Sequence, residues 1–203
     1  MKGAKIQFSN AEMELLANAE IILTKNKALE KIKGLLEEVQ KMQMDFVQAN
    51  NLFQNGVFKV PSKISRGENY LGLPYLILDY PRNFTVDNIL AIRTMFWWGN
   101  FFSSTLHISG EYLSARDYLQ QQYQYLADRH YFVGINQDSG QHHFNSSNYK
   151  LIKDLQEKEF SAILYEMPQI KIAAKWPLTD WHLTATRFFE SWRFLLKTSG
   201  LIS

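Results

Sequence analysis

Between Asn26 and Asn50 the apolar residues Ala28, Ile32, Leu35, Val39, Met42 and Phe46 recur alternately four and three positions apart. On an α-helix this spacing sets them along one face. Leu29, Leu36 and Val47 widen the stripe beyond the narrow seam of a coiled coil, and fewer than three to four heptads are present. The pattern predicts a helix that lies on a sheet or on another helix, ended by Asn55-Gly56. Upstream, Ser9 and Glu12 have the spacing of a capping box, with Phe8 and Met13 placed for a hydrophobic staple.

After Gly56 the texture becomes extended. Runs are expected over Val57–Ile64 and Leu73–Asp79, where Pro74 marks a strand start or an edge. Tyr80-Pro81-Arg82-Asn83 reads as a turn. Leu90–Trp98 and Phe101–Ser109 flank Gly99-Asn100, a two-residue hairpin signal. That register sets Trp98 opposite Phe101, Trp97 opposite Phe102 and Arg93 opposite Leu106. One face would carry Leu90, Ile92, Thr94, Phe96, Trp98, Phe101, Ser103, Thr105 and His107. The other would carry Ala91, Arg93, Met95, Trp97, Phe102, Ser104, Leu106 and Ile108. Neither is simply polar, so both are expected to be covered.

Further on, Tyr112, Ala115, Leu119, Tyr123 and Leu126 make one face of a helix from about Glu111 to Ala127. Tyr131-Val133-Ile135 alternates as a strand, and Asp138–Ser147 is polar and loop-like. Asn145, Ser146 or Ser147 would cap a helix carrying Leu151, Ile152 and Leu155. Ile170, Ile172, Ala174 and Trp176 alternate as a strand stopped by Pro177. The last helix carries Trp181, Ala185, Phe188, Phe189, Trp192, Leu195 and Leu196 on one face, with Thr179 or Asp180 capping its start and Gly200 its end. Strands in the middle and helices on either side give an α+β class: one domain over 1–203, with a central, largely antiparallel sheet of five to six strands flanked by amphipathic helices. The helical segment 1–55 packs on it.

Composition narrows function mostly by exclusion. The formal charge is +2 and there is no cysteine. Disulfides, thiolate nucleophiles and cysteine-bound metals are ruled out, and no strong field draws the chain to nucleic acid. Lysines of the early helix are interleaved with Glu30, Glu37 and Glu38, as on a solvated face. No apolar run approaches the about 20 residues of a membrane span, and no secretory signal is evident at the N-terminus, so a cytoplasmic location is expected. There is no Walker A loop, G-x-G-x-x-G, G-x-S-x-G, H-E-x-x-H or EF-hand pattern, and no cofactor is expected.

Three constellations could carry chemistry. His142-His143 lies in the polar loop, but neighbours in an extended chain point apart, so the pair is a weak metal candidate. Arg66-Gly67-Glu68-Asn69-Tyr70 sets a guanidinium, a carboxylate and an amide beside a flexible glycine, either as an anion-holding loop or as a solvated turn with a surface ion pair. In the hairpin, Arg93 stands among apolar neighbours and needs a partner: water reached by snorkelling, an internal carboxylate such as Asp79, or a bound anion at the bottom of an aromatic pocket. Trp97, Trp98 and His107 are further ligand-binding candidates, but His107 stands beside Thr105 on the other face, where a histidine is more often hydrogen-bonded structure than a base, and spacing assigns it no partner acid. Two functions are consistent with this. The first is a binding or protein-interaction domain, with self-association through aromatic surface. The second is an enzyme or receptor for a small anionic ligand, built from Arg66, Glu68, Arg93 and a histidine. It requires Arg66 and Arg93 to meet in one cleft.

Overall fold

The computed structural model describes residues 6–202. It contains one antiparallel sheet of seven strands in the order β1-β2-β3-β4-β7-β5-β6. The strands are β1 (Lys63–Tyr70), β2 (Leu73–Phe84), β3 (Ile89–Trp97), β4 (Phe101–Ser109), β5 (Phe132–Gly134), β6 (Tyr149–Leu151) and β7 (Gln169–Pro177). The helices are α1 (Asn10–Ala17), α2 (Ala19–Ala49), α3 (Arg116–Gln121), α4 (Tyr123–Asp128), α5 (Glu157–Glu166) and α6 (Thr184–Thr198). The class is the α+β expected, with one or two more strands.

The Ser9/Glu12 capping box forms and starts α1, and Asn18 caps α2. Helix α2 begins seven residues before the expected Asn26 and ends at Ala49 rather than at Asn55-Gly56. Two single 3-10 turns, Leu52–Gln54 and Gly56–Phe58, follow it. Of the run expected over Val57–Ile64, pairing begins only at Lys63, because Val57 and Phe58 turn inward and Phe58 joins the core. Strand β2 is interior, not an edge. Pro74 is tolerated near its start, where its carbonyl accepts the Trp98 amide at 3.0 Å. The expected turn at Tyr80–Asn83 is instead strand: β2 runs on through a cis Tyr80–Pro81 bond, with a register shift between Asp79 and Arg82.

The middle helix is broken at Gln122 into α3 and α4. The residues after Ser147 form β6 and a 3-10 turn, and the helix comes later, as α5, boxed by Gln156 and Glu159. Helix α6 starts at Thr184. The residues Leu178–Leu183 before it make 3-10 turns, and Trp181 there is exposed rather than on the buried face.

The largest correction concerns the β3–β4 hairpin. Trp97 pairs with Phe101, so the loop is Trp98-Gly99-Asn100, three residues rather than two. Gly99 takes φ +69°, and the Asn100 amide closes on the Trp97 carbonyl at 3.1 Å. Arg93 therefore faces Thr105 and not Leu106. A one-residue slip exchanges the face of a whole strand relative to its partner. With the true register the mixed faces resolve. One holds Leu90, Ile92, Phe96, Phe102, Leu106 and Ile108, continued by Ile170 and Ile172 of β7. The other holds Met95, Trp97, Phe101 and a polar belt.

The apolar face carries the helices. Leu29, Leu36 and Val39 of α2 pack on Leu76, Leu78, Phe96 and Phe102, joined by Phe188 of α6. Leu119, Leu126, Phe160 and Leu164 of α3, α4 and α5 cover Ile108, Ile170 and Ile172 together with Trp192 of α6. Trp192 is fully buried, and its indole donates to the Tyr80 carbonyl at 2.6 Å. Helix α2 thus lies on a sheet and against α6, as its wide stripe predicts.

Candidate functional site

The opposite face of the sheet is covered by the segment between β5 and β6, residues 135–148. The buried polar side chains gather beneath it. Arg93 of β3 donates Nε and Nη2 to both oxygens of Asp79 on β2, each at 2.9 Å. This bidentate pairing is the strong form of a charge-assisted contact. The remaining Nη1 lies 3.0 Å from His142 Nε2. Arginine can only donate, so Nε2 accepts and the ring proton sits on Nδ1. Burial, followed by the Arg93 and Lys171 charges, holds His142 neutral and far below the ordinary imidazole range.

Lys171 of β7, 3% exposed, donates Nζ to the Ser139 carbonyl at 2.7 Å and to Gln141 at 3.0 Å. Gln169 donates to the Asn136 and Gln137 carbonyls and accepts from His107 Nε2 at 2.7 Å. Burial first, then Lys171, lowers the His107 pKa to about 4; burial and Arg93 lower Lys171 to about 8. Tyr70 at the end of β1 bends over the same face, and its hydroxyl accepts the His142 and His143 amides at 2.7 and 3.0 Å. Four sheet side chains thus hold the segment down. Phe84, Arg93, Thr105, His107, His142 and Lys171 leave a space of about 10 Å³ between them, the scale of a single water molecule.

The sequence candidates separate. Arg93 and His107 share this pocket with His142, and Asp79 is the internal carboxylate that Arg93 required. Trp97 lies on the same face, its indole donating to the Tyr70 carbonyl at 3.2 Å. Arg66 and Glu68 are not turn residues but part of edge strand β1. They point to the helix side, where Glu68 bridges Arg66 and Lys25 of α2, both at 2.7 Å. Arg66 and Arg93 therefore stand on opposite faces, and the cleft shared by both does not form. Asn69 closes the β1–β2 turn by accepting the Gly72 amide at 3.1 Å. His143 does not join the pocket: its carbonyl accepts from Asn148 and its Nδ1 from the Asn145 amide. Among the described residues no group of three His, Cys, Asp or Glu side chains is placed to hold a metal ion.

Sequence reasoning missed Lys171 and Gln169, and it named Tyr70 only as the end of the Arg66–Tyr70 stretch, without a role. A signal existed in Gln169-Ile170-Lys171-Ile172, whose polar members alternate with the isoleucines and so share a face with each other. Nothing local told that this face was covered.

The second feature is an apolar arm. Helix α1 has no buried residue, and the first buried residue of α2 is Leu29. Ile6, Phe8, Met13, Leu15, Leu16, Ile21, Ile22 and Leu23 are all exposed, Leu16 at 64%. Phe8 and Met13, at the staple positions flanking the Ser9 cap, are both more than half exposed. A groove of about 640 Å³ runs between the Asn18–Lys25 part of the arm and Leu73, Pro74 and half-buried Trp98. Among the described residues no helix is long and apolar enough to cross a membrane. No protein-family model matches the chain, and neither a curated protein nor a solved structure matches it.

Proposed function

We propose that this protein is a protein-interaction domain that docks through its apolar arm, and that the partner is a second copy of the same chain. The observation that carries the reading is the run of exposed large apolar residues from Ile6 to Leu23 on an otherwise well-packed domain. An eight-residue helix with no buried side chain has little to hold it in isolation, since short helices are marginal in water. Contiguous apolar surface of this kind marks an interaction site. Eight such side chains, each close to half exposed or more, offer area of the order a standard interface buries per partner, about 800 Å².

Charge selects the partner. Residues 6–24 carry Glu12, Glu14 and Glu20 and no Lys or Arg, whereas residues 25–41 of α2 carry five lysines against three glutamates. An acidic arm from one protomer laid antiparallel along the basic middle of its partner's α2 satisfies both, and the two-fold operation repeats the contact. The aromatic hairpin is a poor alternative surface, because Phe96, Trp97 and Phe102 are buried and Trp98 alone borders the groove.

Light scattering on the purified chain tests this. A dimer is expected at micromolar concentration, reverting to monomer in the Leu16→Glu/Ile22→Glu double variant with an unchanged circular-dichroism spectrum. A wild-type chain that stays monomeric at the highest soluble concentration overturns the proposal.

A further inference from the structure

We infer that the pocket beneath residues 135–148 is a binding site for one monovalent anion of chloride size, independent of the arm. The first reason is charge. Arg93 and Asp79 neutralise each other, but Lys171, also buried on this face, has only the Ser139 and Gln141 carbonyls as partners. Among the described residues no carboxylate lies within salt-bridge distance of its ammonium. Asp138, the acidic residue of the covering segment, attracts Lys171 from a distance but does not touch it, its oxygens being held by the Gly140 amide and the Gln141 side chain. A buried cation with no counter-charge in contact is disfavoured. A small anion beside it would remove that cost.

The second reason is the kind of hydrogen-bonding group left over. The third proton of Lys171 and His142 Nδ1–H have no protein partner among the described residues, and both side chains line the space. His107 Nδ1 is left an acceptor by the Nε2–H bond to Gln169, so it is the Lys171 charge, with the spare donors beside it, that favours an anion over a cation. The third reason is size. About 10 Å³ admits a water-sized body and excludes phosphate, sulfate or a carboxylate metabolite while the segment is closed. Water meets the size limit but brings no charge.

Two measurements decide the matter. Crystals grown in sodium bromide, with data collected at the bromine absorption edge, are expected to show an anomalous peak between Arg93, His142 and Lys171. In solution, Tm is expected to rise by a few degrees when chloride replaces gluconate at constant ionic strength, by mass action on the native state. The Lys171→Gln variant, which keeps one amide donor for the segment, is expected to lose that rise. Bromide peaks confined to the surface, meaning an adventitious ion only, overturn the inference, as does equal Tm in both salts. So does a chloride response undiminished in Lys171→Gln. Should that variant not fold, the bromide map of the wild-type chain decides alone.

Discussion

Arg93 is the residue on which the covered polar face turns. It sits in a strand, flanked by Ile92 and Thr94, and reaches three acceptors at once: both oxygens of Asp79 and Nε2 of His142. Removing one member of such a pair costs more than the pair contributes, because the survivor stays buried and uncompensated. Asp79→Asn is expected to destabilise the domain by about 3 kcal/mol, read as a lower urea midpoint at an unchanged slope. The histidines add a pH dependence whose sign is fixed by their burial. His107 titrates at about 4 in the folded chain and near 6.5 when unfolded, and His142 is depressed further. The unfolded chain therefore binds protons that the folded chain refuses. The histidine contribution to stability should be complete above pH 6.5 and fall steadily as pH drops toward 4. His142→Asn should flatten that fall in pH-dependent chemical denaturation, and an unaltered profile would refute the assignment. Lys171, lowered to about 8, acts in the same direction in a separate window, so stability should gain as pH rises from 8 toward 10.5.

At the scale of elements, α2 and the segment 135–148 behave oppositely. Helix α2 is held by a continuous stripe of apolar contacts, and its solvent side is open. At Gly34 an added Cβ would meet no atom within 4 Å. Gly34→Ala should therefore stabilise the protein by about 1 kcal/mol through backbone entropy, visible as a raised Tm. At Gly67 the same change would drive a Cβ to 2.2 Å from the Tyr75 ring, so Gly67→Ala should destabilise. The segment 135–148, by contrast, has no regular structure and is fastened by Lys171, Gln169, Arg93 and Tyr70 to its backbone and to His142. Tyr70→Phe removes one acceptor from two amides. Hydrogen exchange at His142 and His143 should quicken in that variant while β3 and β4 keep their protection. The hairpin connects these elements. Its three-residue loop sorts apolar side chains toward the helices and polar ones toward the segment, and a two-residue loop would have mixed them.

For the whole molecule the prominent asymmetry is between a sheet covered on both faces and an arm with no buried residue up to Leu29. The arm's acidic and α2's basic stretches give the proposed dimer an electrostatic component, so its dissociation constant in analytical ultracentrifugation should rise with sodium chloride. A purely apolar association would be indifferent to salt or strengthened by it. The sequence by itself determined what is carried by local spacing: the stripe of α2, the Ser9 cap, the face of α6, the existence of a β3–β4 hairpin, and an α+β order of elements. Helix periodicity and capping act within a few residues, so they can be read without a partner. It also exposed Arg93 as a charge in need of a counterpart and offered Asp79 as one of them, without deciding between that carboxylate, water and a bound anion. Only the tertiary structure decided the hairpin register, because that is fixed by pairing β3 with β2 and β4 with β7 as much as by the loop between them. It alone brought Asp79, Arg93, His142 and Lys171 together and set Arg66 on the other face. Residues tens of positions apart meet only when the sheet is assembled, and no local spacing encodes which of its faces a distant loop will cover.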